Sequence, residues 1–268
     1  MSQLVDHSEL EEILAEERDF HNRFYGRVTP FDVGSLGFTK EQVWHFLDAP
    51  WKPGRSFDGR RNRRFLELMD LESIAGKKVL DVGCGNGQFA VFFAMYGAEV
   101  WGIDLSDVGI EVANKSAELN GVAERCRFIV GDATATDFPD GFFDYVSYSA
   151  ALHHAVKYPG IREETWRILK PGGQLVFNDI LRDNKLYNAC KAVYLRFRPE
   201  TDSGVNITMA DYEAFWHGYE PPHLERLSLL EGWKHFLPRR LVLSAHAAVL
   251  LYLTSRFDDR LLYLFPGL

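Results

Sequence analysis

The sequence predicts an α/β protein built on a doubly wound, mainly parallel sheet. Two observations support this prediction. Short β-type runs alternate with helical patterns over residues 76–181, and the β-type runs are KVLDVG, EVWGID, RFIV, FDYVSYS and QLVFND. Acidic, small or histidine residues follow these runs, where the carboxyl ends of parallel strands present ligand-binding groups. Strands that alternate with helices form βαβ units whose sheet is covered on both faces.

The regions that flank this core are predicted to be helical. Residues 1–75 form a helical N-terminal extension, in which Ser8–Glu11 and Thr39–Gln42 fit the capping-box pattern and RRNRRFLELMDL continues as a third helix. Residues 182–240 are rich in aromatic side chains and are expected to form a helical cap after the fifth strand. Residues 241–268 are expected to pack on the core.

Composition excludes several classes of function. The chain has 268 residues, 46% of them hydrophobic, and a net charge of −8, which disfavours a broad nucleic-acid surface. Its three cysteines form no CxxC pair and indicate neither a disulfide framework nor a zinc site. The N-terminus also lacks an apolar signal core, so we expect a cytoplasmic protein. We further expect no bound metal, and either a monomer or a homodimer.

The longest apolar stretch, LVLSAHAAVLLYLT at 241–254, is shorter than the roughly 20 residues of a membrane-spanning helix. We expect it to be buried. The alternative is that this segment docks on a membrane surface, and the sequence leaves that alternative open.

The segment VLDVGCGNGQFA, residues 79–90, has the pattern of a strand, a glycine turn and a helix. A dinucleotide fingerprint would place its third glycine at position 88, where this chain has Gln, so the spacing disfavours a nicotinamide cofactor. Asp104 ends the second β-type run, where a carboxylate accepts hydrogen bonds from ribose hydroxyls. Asp132 follows the third run in the sequence GDA.

Together with the KPGG turn before the fifth run, these motifs resemble the class I S-adenosylmethionine-dependent methyltransferases, which have a Rossmann-like fold. The resemblance implies that S-adenosyl-L-methionine is the cofactor and S-adenosyl-L-homocysteine the product. It implies that Asp104 binds the ribose and that Asp132 binds the adenine. The other residues that it assigns to the cofactor are Asp81, Gly83, Cys84, Gly85, Gly87, Leu105, Ala133, Ser149 and, on a covering N-terminal helix, Tyr25.

The sequence SAALHHAV after the fourth run, with Asp179 after the fifth, is similar to small-molecule O-methyltransferases of the rebeccamycin sugar 4′-O-methyltransferase type. That similarity implies that His153 is a general base oriented by Asp179, and that His154 faces away and packs at the start of the next helix. The acceptor is then a small molecule with a hydroxyl group. Two alternatives remain open: a lipid or prenylated acceptor at a membrane, and N- or C-methylation that needs no base.

Overall fold

The computed structural model describes residues 7–25, 36–48, 58–179 and 208–219. The first three helices are α1 (His7–Tyr25), α2 (Lys40–Asp48) and α3 (Asp58–Leu68). The alternating core then contains β1 (Lys78–Val82), α4 (Gln88–Met95), β2 (Glu99–Asp104), α5 (Asp107–Leu119), β3 (Cys126–Val130), β4 (Phe143–Ser149), α6 (Leu152–Ala155), α7 (Ile161–Ile168) and β5 (Leu169–Asn178). A further helix, α8, spans Met209–Trp216.

The five strands form one sheet in the order β3-β2-β1-β4-β5, and every described pair is parallel. The chain winds outward from β1 to β3 and then returns to place β4 beside β1. The carboxyl ends of β1 and β4 therefore flank the point where the winding reverses, and ligands of such sheets bind in the crevice there. The predicted fold class is confirmed.

The strand sequences explain their places in the sheet. The central strand β1 is almost wholly buried, and β2 and β4 follow the same pattern, as expected for strands covered by helices on both faces. The edge strand β3 leaves Ile129 and Val130 partly exposed. Helix α4, with the sequence QFAVFFAM, is buried from Ala90 to Ala94 and covers one face of the sheet.

The capping box predicted at Thr39 and Gln42 is present. The Thr39 backbone N–H donates to Gln42 Oε1 at 2.8 Å, and the Gln42 N–H donates to Thr39 Oγ1 at 3.2 Å. The other predicted box is not at a helix start, because α1 begins at His7 and Ser8 already lies within it. Ser106 caps α5 by accepting from the Gly109 N–H at 2.9 Å.

The sequence analysis predicts that the KPGG segment is a turn that precedes a strand. The structure instead continues β5 through it from Leu169. The pairing register shifts here, since Phe143 faces Leu169 while Tyr145 faces Gln174. The additional residues on β5 form an irregularity in the ladder, and Gly172 accommodates it with a φ of +75°.

The chain divides into two compact units, and the boundaries run within α2 and α3. The first contains residues 1–44, 65–180 and 203–206, and the second contains 45–64, 181–202 and 207–268. In the second unit Arg63 pairs with Asp48, and Thr208 and Asp211 form a capping box at α8. Most of the predicted aromatic cap, and the whole C-terminal segment 241–268, lie outside the described residues. Within the described part, no helix has the length and apolar character needed to cross a membrane.

Candidate active site

A cavity of about 340 Å³ lies in the first unit, at the carboxyl ends of β1, β2, β3 and β4. Its floor consists of residues that directly follow these strands, and α1 and the segment after β4 contribute the remaining wall. The lining residues are Leu14, Glu17, Phe20, His21, Tyr25, Val82, Gly83, Ile103, Asp104, Leu105, Gly131, Asp132, Ala133, Thr134, Ser149, Ala150, Ala151, His154, Ala155, Tyr158 and Ile161.

The glycine loop contributes one of its glycines to the cavity wall. Gly83 has a φ of +66°, and a Cβ there would lie 2.5 Å from the Cβ of Ala151. A side chain at this position would therefore displace the backbone that follows β4. Gly85 and Gly87 are not in the wall, because Tyr25 covers Gly85 and Ala113 packs against Gly87. Cys84 is buried, and burial raises the pKa of its thiol well above the ordinary value.

Two of the predicted cofactor-binding carboxyl groups are buried at the centre of the sheet. Asp81 accepts a hydrogen bond from Ser147 Oγ at 2.8 Å and does not line the cavity. Burial raises the pKa of Asp81 to about 7. Asp104 does line the cavity, and its two oxygens accept from the Gly85 N–H at 2.7 Å and the Ser106 N–H at 2.8 Å. Burial raises the pKa of Asp104, and those two hydrogen bonds partly offset the effect.

The remaining predicted cofactor residues lie along the same wall. Asp132 accepts from the Thr134 N–H at 2.8 Å and from Thr134 Oγ1 at 2.7 Å, so that its carboxylate is held at the end of β3. Leu105 and Ala133 are next to it in the lining, and Ser149 is at the end of β4.

Helix α1 closes one side of the cavity and is anchored to the start of α5. The Asn22 side-chain amide donates to Asp107 Oδ1 at 2.7 Å and accepts from Ser106 Oγ at 2.6 Å. Tyr25, predicted to cover the cofactor, lies against Gly85 and Gly109. Burial raises the pKa of its phenol, and the charge of Asp104 acts in the same direction.

The two residues predicted as a catalytic pair are in contact. His153 Nδ1 lies 2.6 Å from Asp179 Oδ1, and the His153 backbone N–H donates to Asp179 Oδ2 at 2.8 Å. The side chain of Asp179 is 1% exposed and that of His153 is 11% exposed. A carboxylate in this position fixes the proton on Nδ1 and leaves Nε2 as the basic atom.

The prediction that His154 faces away from the site is wrong. His154 lines the cavity, whereas His153 is not among the lining residues. The ring centroids of the two histidines are 4.0 Å apart at an interplanar angle of 44°. Ala150 turns the chain with a φ of +54°, and the short helix α6 then begins at Leu152, so that neighbouring side chains point about 100° apart.

Comparison with known proteins shows what the alternating core is similar to. A family model described as a methyltransferase domain matches residues 80–177. Curated relatives named ubiquinone biosynthesis O-methyltransferase include one from Pseudomonas putida, 39% identical over 43% of this chain and 49% of the relative. Another, from Pseudomonas fluorescens, is 38% identical over 54% of this chain and 60% of the relative. Residues 80–177 are therefore similar to a methyltransferase domain.

The matched region coincides with the alternating core, and the chain spans about half the length of the curated relatives it matches. Among solved structures, a candidate sarcosine dimethylglycine methyltransferase from Galdieria sulphuraria is similar in fold. It has a TM-score of 0.53 and 18% identity, and the alignment covers 74% of this chain and 72% of that one.

Four titratable residues outside the predicted set also line the cavity: Glu17, His21, His154 and Tyr158. A signal for two of them was present in the sequence. Glu17, His21 and Tyr25 are spaced four residues apart in EERDFHNRFY and therefore share one face of α1. No group of three or more metal-ligating side chains is found in the described ranges.

Proposed function

We propose that this chain is an S-adenosylmethionine-dependent methyltransferase that transfers a methyl group to a hydroxyl oxygen of a small molecule. The observation that carries the proposal is the imidazole of His153, held by the buried carboxylate of Asp179 beside the cavity of the methyltransferase domain. The names of the curated relatives support O-methylation. The net charge of −8 disfavours a nucleic-acid acceptor.

The cavity at the carboxyl ends of the strands is the site that the proposal assigns to the methyl donor. In this proposal Asp104 and Asp132 bind the ribose and the adenine, with Leu105 and Ala133 beside the ring. Gly83 and Ser149 lie along the methionine portion. Asp81, Cys84, Gly85 and Gly87 act through the loop conformation, since they are not in the wall. The bound donor supplies a methyl group already activated on a sulfonium, and S-adenosyl-L-homocysteine is the product.

The protein must then align the acceptor oxygen and remove one proton. Alignment alone supplies up to about 7–11 kcal/mol of barrier reduction for a well-oriented reaction. His153 Nε2 accepts the hydroxyl proton as the C–O bond forms, and Asp179 stabilises the resulting imidazolium through Nδ1–H. A base in this position is worth on the order of 10²–10⁴-fold in rate.

The acceptor class is the finer part of the proposal. The similarity of LHH and Asp179 to sugar-type O-methyltransferases favours a glycoside or another ring-bearing hydroxyl compound. Two alternatives remain: a lipid or prenylated acceptor, and N- or C-methylation that needs no base. A panel of acceptors distinguishes them from the proposed reaction. The panel of acceptors therefore contains glycosides, phenols, amines and prenylated phenols, the last also presented in neutral liposomes.

The first experiment incubates the protein with S-adenosylmethionine and this panel, and detects a mass gain of about 14 Da by mass spectrometry. With the acceptor identified, His153→Asn is expected to lower kcat by about 10²-fold or more, because the amide cannot take the proton. The Asn side chain still offers a donor to Asp179. The affinity for S-adenosylhomocysteine, measured by calorimetry, should stay within about threefold.

Asp104→Asn serves as the positive control for the binding assay and should weaken S-adenosylhomocysteine binding at least tenfold. If turnover survives in His153→Asn, His153 is not the base. If the affinity is unchanged in Asp104→Asn, the assignment of the ribose to Asp104 is wrong.

A further inference from the structure

A second carboxylate–imidazole pair faces the cavity, between α1 and α6. Glu17 Oε1 lies 3.4 Å from His154 Nδ1 and 3.3 Å from Lys157 Nζ. The side chain of Glu17 is 4% exposed and that of His154 is 18% exposed. The two residues are 137 positions apart in the chain, so only the docking of α1 brings them together.

Glu17 is ionised at neutral pH. Burial raises the pKa of its carboxyl, but the hydrogen bonds of His154 and Tyr158, together with the positive charge of Lys157, outweigh burial and lower the pKa to about 2. An ionised carboxylate at Nδ1 favours the tautomer in which Nδ1 carries the proton. The lone pair on His154 Nε2 is then available for a ligand.

One buried polar atom of the same cavity wall, His21 Nδ1, has no hydrogen-bond partner among the described residues. The Tyr158 hydroxyl lies near Glu17 and interacts with its carboxylate. A buried polar group without a partner costs about 1–3 kcal/mol. The wall formed by Glu17, His21, His154 and Tyr158 therefore carries a polar group that a ligand would satisfy.

We propose that His154 is an acceptor-binding residue of this site and that Glu17 is its positioning residue. His154 Nε2 accepts a hydrogen bond from an O–H or N–H group of the acceptor, beside the His153 ring that takes the proton. Helix α1 is then part of the acceptor site as well as the wall of the cofactor cavity. This inference rests on the proposed methyl transfer.

The test is nitrogen-15 NMR of the histidine rings in the complex with S-adenosylhomocysteine, with phenol as the hydroxyl-bearing probe. His154→Gln identifies the His154 signals. We expect the wild-type ring to be protonated on Nδ1, and the Nε2 signal of His154 to shift saturably as phenol is added. In Glu17→Gln the ring should become a mixture of tautomers, and the apparent Kd for phenol should rise at least threefold.

Glu16→Gln is the matched control, because Glu16 is the exposed neighbour of Glu17 on α1, and it should behave as the wild type. A tautomer unchanged in Glu17→Gln, or a phenol-induced shift at His153 and none at His154, overturns the inference. These measurements need no methyl transfer. If His153→Asn loses turnover but the His154 Nε2 signal does not shift when phenol is added, this inference is refuted and the proposed function stands.

Discussion

At the scale of single residues, Ala150 decides which side chains after β4 reach the cavity. It has a φ of +54°, a region that L-residues other than glycine seldom adopt. Its backbone N–H donates to the Asn178 carbonyl oxygen at 2.8 Å, which ties the turn to the end of β5. Strained backbone of this kind persists where the surrounding structure enforces it, commonly at functional sites.

Ala150→Gly is expected to raise the free energy of unfolding by about 0.5–1 kcal/mol, because glycine adopts this conformation without a Cβ clash. Urea denaturation measures the change. Ala155→Gly, within α6, is the matched control and should lower stability by about 0.5–1 kcal/mol. Equal losses in both variants would show that the conformation of Ala150 carries no strain.

At the scale of elements, α1 makes polar contacts with two separate parts of the core. Asn22 hydrogen-bonds Ser106 and Asp107, which are the cap and first residue of α5. Glu17 contacts His154 and Lys157. The wall that α1 contributes to the cavity therefore depends on the docking of this helix.

Asn22→Ala removes two of these hydrogen bonds, and we expect amide hydrogen exchange across α1 to accelerate about tenfold. The loss of two hydrogen bonds amounts to on the order of 1–2 kcal/mol of local stability. Exchange in β1 and β4 should not change. Asn114→Ala, an exposed asparagine on α5 that bonds only its own helix, is the control. Uniform acceleration in the sheet as well would mean that α1 does not open independently.

At the scale of the whole molecule, the sheet interior contains a carboxyl group whose ionisation opposes folding. Asp81 is buried on the central strand, and burial together with the nearby charge of Asp104 raises its pKa from 3.8 to about 7. Between these two pH values the folded protein retains a proton that the unfolded chain has released. Stability therefore falls as pH rises through this window and is level above it.

The measurement compares wild type with Asp81→Asn by urea denaturation at pH 5, 6, 7 and 8, without ligand. The difference in unfolding free energy should change by up to about 1.4 kcal/mol per pH unit below pH 7, to the disadvantage of the wild type as pH rises. Above pH 7 the unfolding free energies of the two proteins should change with pH in the same way. Parallel curves over the entire range would mean that Asp81 titrates normally in the folded state.

Much of the fold could be predicted because local rules agree with it. The buried runs KVLDV and EVWGID indicate covered parallel strands, and Thr39 with Gln42 indicates a helix start. The KPGG segment was mispredicted because proline and glycine indicate a turn locally. In the structure the strand continues through the segment as an irregularity, since the ladder pairs Leu169 and then Gln174 with β4.

The sequence by itself determined the order of the strands along the chain and the residues at their carboxyl ends. These features depend on periodicity and on which residues follow each strand, and both are local. The pairing of His153 with Asp179 was implied by the similarity to O-methyltransferases, and the structure brings the two side chains into contact. Only the tertiary structure decided that His154 faces the cavity, that Tyr25 covers Gly85, and that Glu17 meets His154. The physical reason is that these contacts depend on the backbone turn at Ala150 and on the docking of α1 against distant parts of the chain, and no local pattern encodes either.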